Sequence, residues 1–70
     1  MTLKQNQVMN ILRANMEADN TCTMSIHDIG YPLTPNSINP AIADFNELKT
    51  LLQLSDFERL SSRVFKFYII

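Results

Sequence analysis

Apolar positions recur at helical spacing in two stretches of this chain, and the pattern changes character between and after them. Val8, Ile11, Leu12 and Met16 fall on one helix face, and Thr2 followed three residues later by Gln5 is a capping-box start for it. The spacing predicts a first helix from about Leu3 to Ala18, broken by Asp19, Asn20 and Thr21. Thr21 to Met24, TCTM, has moderate strand propensity. Ser25 with Asp28 three residues on is a second capping-box-like start, and Gly30 followed by Pro32 stops that helix almost at once. Thr34 and Pro35 then open a longer helix, since a threonine hydroxyl can accept a free first-turn amide and proline has no amide to leave unpaired. Ile38, Ala41, Ile42, Phe45, Leu48 and Leu52 share one face of it, which carries it to about Leu52. Pro40 leaves its start open. A helix from Pro35 has Pro40 beyond the first turn, where it removes a hydrogen bond and kinks the axis; Asn39 as cap, with Pro40 the first helical residue, makes Thr34 to Ile38 a loop.

The tail, SDFERLSSRVFKFYII, switches to strand chemistry. From Arg63 onward β-branched and aromatic residues alternate with cations, and Leu60, Ser61 and Ser62 make a turn between two strands, with the return strand near Val64 to Ile69. A competing pattern takes Ser55 and Glu58 as a capping box with Phe57, Leu60 and Val64 as a helical stripe; the density of strand formers after Val64 favours the hairpin. Val8, Leu12, Ile26, Ile29, Ile38, Ile42, Phe45 and Leu48 are the expected core.

Seventy residues make one domain, small enough that a single core is only marginally stable. Hydrophobic residues at 46% and charged residues at 19% are too apolar a mixture for disorder. The formal charge of -1, with a pI near 5.6, lacks the basic excess that dominates phosphate binding. A lone Cys22 permits no internal disulfide, and the apolar cluster at the C-terminus is interrupted by Lys66 and too short to cross a bilayer. No signal-like apolar run follows Met1. The expectation is a cytoplasmic protein without membrane contact.

The order helix, short strand, short helix, turn, longer helix, hairpin resembles the winged helix-turn-helix domains of small bacterial and phage regulators. The likeness spans nearly the whole chain and rests on pattern, with Ile26 and Ile29 matching the core of the second helix, and Thr34, Ile38, Ile42, Phe45 and Leu48 the cap and buried face of the third. It implies an α+β fold of three helices, a short strand and a C-terminal β-hairpin, in a single domain over residues 1–70. It also implies sequence-selective duplex DNA binding in transcription regulation. On that reading Asn36, Ser37 and Asn39 read base edges at the start of the third helix. Thr34 holds a phosphate beside free amides, and Lys49, Arg59, Arg63 and Lys66 grip further phosphates.

Other chemistries have less support. Cys22 and His27 lack an orienting third group for nucleophilic catalysis, and with Asp28 they miss zinc-ligand spacing. One glycine cannot build a phosphate-wrapping loop. Asp44 and Glu47, three apart, read as a solvated face. No enzyme activity, cofactor or metal is therefore expected. The second functional expectation is a non-enzymatic protein-interaction module, an adaptor or inhibitor, whose partner or second copy docks on the apolar tail through Phe65, Phe67 and Ile69. The discriminating feature is the placement of the cations: one continuous basic face favours DNA, and scattered charge favours a protein.

Overall fold

The computed structural model describes all residues, Met1–Ile70, in the order α1 (Leu3–Ala14), β1 (Thr21–Ser25), a 3-10 turn (Pro35–Ser37), α2 (Ile38–Thr50), β2 (Leu54–Arg59) and β3 (Val64–Ile69). The strands form one antiparallel sheet in the order β1-β3-β2, so the C-terminal strand lies in the middle. Thr23 pairs with Lys66 on one side of it and Phe57 with Phe67 on the other. Cys22, Leu54, Phe65, Phe67 and Ile69 point into the core beneath the helices, and Thr23 and Glu58, on the outer face, are exposed.

The first helix begins as its sequence dictates and ends sooner. Thr2 Oγ1 accepts from the Gln5 amide at 3.1 Å and Gln5 Oε1 accepts from the Thr2 amide at 3.0 Å, which completes the capping box. Asn15 then closes α1, its side-chain amide donating to the Ile11 carbonyl at 2.8 Å, so residues 15–18 are not helical. Asn can serve its own preceding turn in this way, and the apolar period alone does not register it.

The expected helix between β1 and Pro32 does not form, and the three-helix winged helix-turn-helix architecture is corrected to two α-helices and a three-stranded sheet within the same α+β class. Ser25 is still a strand residue, and its hydroxyl accepts from the His27 amide at 3.2 Å instead of capping a helix. Ile26 to Tyr31 make successive tight turns: the amides of Asp28, Ile29 and Gly30 each bond three residues back. Between Ser25 and Gly30, at φ +106°, the chain is too short to repay helix nucleation. Ile26 and Ile29 are fully buried all the same.

Pro40 resolves differently from either sequence reading. Pro35–Ser37 form the 3-10 turn, α2 begins at Ile38, and Pro40 is therefore its third residue. Amides of the first turn have no acceptor within the helix, so proline costs nothing in hydrogen bonding there. At the other end Leu52 adopts φ 58°, with its amide donating to Lys49 O at 3.0 Å and that of Gln53 to Leu48 O at 2.9 Å. This is a Schellman cap in which leucine occupies the position glycine usually takes.

Phe45, fully buried on α2, is the hub of the core. Its ring meets Tyr31, Phe57, Phe65 and Phe67 edge-on, with centroids 4.8 to 5.9 Å away. Val8, Leu12, Ile26, Ile29 and Leu48 are buried around it, with Ile38 and Ile42 half-buried at the margin. No helix is long and apolar enough to cross a membrane.

Candidate interaction surface

One end of the molecule gathers the residues that the sequence separates. The turn joining β2 to β3 packs beside the loop that leads into α2, because the Ile26 amide donates to Arg63 O at 2.9 Å and Arg63 Nη1 donates to Thr34 O at 3.3 Å. Thr34, Asn36 and Asn39 are exposed along this loop and the start of α2, and Arg63 reaches the stretch at the Thr34 carbonyl. Thr34 makes no side-chain cap; its carbonyl is the group in use. Ser37 is corrected as a surface reader: it is 5% exposed, and its hydroxyl donates to the carbonyls of Pro32 at 2.7 Å and Thr34 at 2.8 Å. It locks the loop from within.

The cations are dispersed and each has an internal partner. Arg59 donates to the carbonyls of Ser61 at 3.2 Å and Ser62 at 2.8 Å, holding its own turn. Lys49 pairs with Asp56 at 3.2 Å near the opposite end of α2. The Asp56 carboxyl lies below the usual range because the Phe57 amide, and then Lys49, stabilise its anion. Lys66 lies on the outer sheet face over the Tyr68 ring, between Thr23 and Glu58. Tyr68 donates to Glu58, which raises its own pKa. Lys4 bonds Gly30 O at 2.8 Å, and Arg13 bonds Gln53 Oε1 at 2.8 Å. Lys49, Arg59, Arg63 and Lys66 therefore belong to separate local arrangements, and of these only Arg63 bonds the loop that carries Thr34 and Asn36.

Phe65, Phe67 and Ile69 are corrected as a docking stripe. They are 1%, 0% and 5% exposed, and their side chains build the core face of the central strand. Strand-forming alternation in a tail reads equally as an edge or a centre, and the β1 and β2 pairings that cover it are not local in sequence. Cys22 is buried beside them, and burial pushes its thiol pKa up. No three His, Cys, Asp or Glu side chains converge as metal ligands would.

The surface that sequence reasoning passed over is uncharged. From Ile29 to Ala43 the chain has no Asp, Glu, Lys, Arg or His, and Pro32, Leu33, Thr34, Pro35, Asn36, Asn39, Pro40 and Ala43 are exposed within it. Leu33 is 80% exposed. Asp44 ends the run and is drawn inward, accepting from the Tyr31 hydroxyl at 2.7 Å and from Gln5 Nε2 at 3.4 Å. The signal was available as a charge-free segment bounded by Asp28 and Asp44. No family model matches the chain, and no match was found among curated proteins or among solved structures.

Proposed function

We propose that this domain is a non-enzymatic protein-interaction module that binds its partner through the uncharged loop and first turns of α2. The observation that carries the reading is the distribution of charge. Six Lys and Arg side chains are spread over both helices, the hairpin turn and the outer sheet, and the surface presented between Pro32 and Ala43 carries none of them. Phosphate binding draws on clustered cations and released counterions, whereas a neutral surface of Leu, Pro, Asn and Ala suits a partner of mixed apolar and amide chemistry. The reading assumes a reducing, cytoplasmic setting in which the free Cys22 thiol stays reduced.

One observation favours the second reading, sequence-selective duplex DNA binding in transcription regulation. Asn36 in the 3-10 turn and Asn39 in the first turn of α2 are exposed, Arg63 bonds the Thr34 carbonyl just before them, and an asparagine amide can pair with adenine in the major groove. A paired experiment separates the two. Mobility of a random duplex is followed at low and moderate salt, and proteins retained by the immobilised chain are compared with those retained by a Leu33→Asp, Ala43→Glu variant of unchanged thermal stability. The interaction reading expects no salt-dependent retardation and loss of a specific protein from the variant. Retardation that falls steeply with salt and with Arg63→Ala supports DNA instead.

A further inference from the structure

The two edges of the sheet differ in how far their backbone is satisfied. Along β1, the Ile69 amide donates to Asn20 O at 2.8 Å and the Ile26 amide to Arg63 O at 2.9 Å, which fixes the phase of the ladder. Antiparallel pairing alternates, so Cys22 and Met24 turn their backbone groups toward β3, and Thr21, Thr23 and Ser25 turn theirs outward. Thr21 is satisfied on that side: its amide donates to Asp19 Oδ1 at 3.1 Å and its carbonyl accepts from the Glu17 amide at 2.9 Å. The Ser25 carbonyl accepts from the Asp28 amide at 3.1 Å. The Thr23 N–H, the Thr23 C=O and the Ser25 N–H have no protein partner.

The opposite edge carries the usual protections. β2 has a register shift between Leu54 and Asp56, the Phe57 amide is capped by Asp56 Oδ1 at 2.8 Å, and Asp56, Glu58 and Arg59 place charge along it. β1 itself has no charge, no proline and no bulge from Thr21 to Ser25. Its charges stand at the ends. Glu17 and Asp19 flank Thr21, Asp28 flanks Ser25, and all three are exposed and outside any ion pair. The adjoining cations do not pair with them: Lys66 lies over the Tyr68 ring and acts on Asp19 only through space, and Arg63 bonds the Thr34 carbonyl.

We infer that the β1 edge at Thr23 to Ser25 receives an extended segment of a partner protein with lysine or arginine on both flanks, added as a fourth strand. The central residues of that segment exchange three backbone hydrogen bonds with Thr23 and Ser25, and its basic flanks meet Glu17 and Asp19 at one end and Asp28 at the other. A second copy of this chain is a poor occupant. Antiparallel pairing about a two-fold axis at Thr23 sets Asp28 of one copy against Asp19 and Glu17 of the other, so like charges oppose at both ends. The site is separate from the uncharged face of α2 and stands whether or not that face binds a protein.

The test follows backbone amide shifts of the full chain while the acetylated, amidated peptide Lys-Lys-Val-Thr-Val-Thr-Val-Lys-Lys is added, with an Asp-flanked peptide of the same centre as comparison. The expected result is shifts and slowed hydrogen exchange at Thr23 and Ser25, with affinity falling as salt rises and about tenfold weaker binding of the acidic peptide. Glu17→Gln with Asp28→Asn leaves every backbone bond in place and weakens the lysine peptide about fivefold. No change at Thr23 or Ser25 at millimolar peptide overturns the inference, as does equal binding of the two peptides. Shifts confined to Leu33 through Ala43 also overturn it while supporting the α2 reading. Dimerisation of the free chain with protection of Thr23 identifies a second copy as the occupant and overturns it too.

Discussion

Leu52 shows how much one backbone angle can contain. At φ 58° it sits in the left-handed region, which costs an L-residue with a Cβ roughly 1 to 2 kcal/mol, yet its side chain is 72% exposed and contributes little packing in return. Leu52→Gly should therefore stabilise the fold by about 0.5 to 1 kcal/mol after the added entropy of the unfolded chain, raising the melting temperature by a few degrees in a domain of this size. Calorimetry checks the sign; a lower melting temperature means that Leu52 packs more usefully than its exposure suggests. Gln5 and Tyr31 hold a different kind of information. Fully buried Gln5 donates to Glu47 at 2.6 Å, and both it and Tyr31 reach Asp44, so α1, the turn after β1 and α2 are tied by one polar network. Burial, then the hydrogen bond to Asp44, raises the Tyr31 phenol well above its ordinary 10.0. The unfolded chain thus loses this proton before the folded one does. Stability from this group is whole below pH 10 and falls as pH climbs above it. Tyr31→Phe should cost about 1 to 2 kcal/mol at neutral pH and flatten the alkaline decline, as denaturant titrations from pH 8 to 11 would read out.

At the scale of elements, the apolar periods of α1 and α2 and the strand chemistry of the tail were legible, because each is written within a single segment. The segment after β1 was not. Ser25, Asp28, Gly30 and Pro32 carry the punctuation of a helix, but punctuation does not supply length, and the nucleation cost decides against six residues. Ile26 and Ile29 are buried as their spacing predicts although no helix forms, since consecutive tight turns also return every third residue to the same side. Likewise, the tail's alternation marks a strand without showing that β1 and β2 enclose it, so the sequence presents as a surface Phe65, Phe67 and Ile69, which the sheet buries. Pro40 offers a direct check on the start of α2. As the third helical residue it interrupts no helical hydrogen bond, so Pro40→Ala should change stability by no more than about 0.5 kcal/mol, whereas a proline breaking the helix interior would release roughly 3 kcal/mol on replacement. Urea unfolding distinguishes these values easily.

For the whole molecule, the arrangement of aromatic rings explains how a chain of this length holds one fold without a disulfide. A domain of 70 residues has about 4 to 10 kcal/mol of net stability by the usual scaling, so no single core contact is dispensable. Phe45 is where the parts meet: its ring touches Tyr31 from the turn after β1, Phe57 from β2, and Phe65 and Phe67 from the central strand. That convergence also fixes where the uncharged face of α2 stands, because the same helix that buries Phe45 presents Asn39 and Ala43 outward. Phe45→Ala removes the shared neighbour of four rings and should cost about 3 to 5 kcal/mol, a large share of the total. Phe45→Leu keeps most of the volume and loses the edge-on ring contacts, and should cost less. The expected pair of results is loss of cooperative thermal unfolding and near-ultraviolet dichroism in the alanine variant, with a weakened but cooperative transition in the leucine variant. Equal, small losses in both would mean that the helices and sheet are held together elsewhere, and that the α2 surface is not positioned by this core.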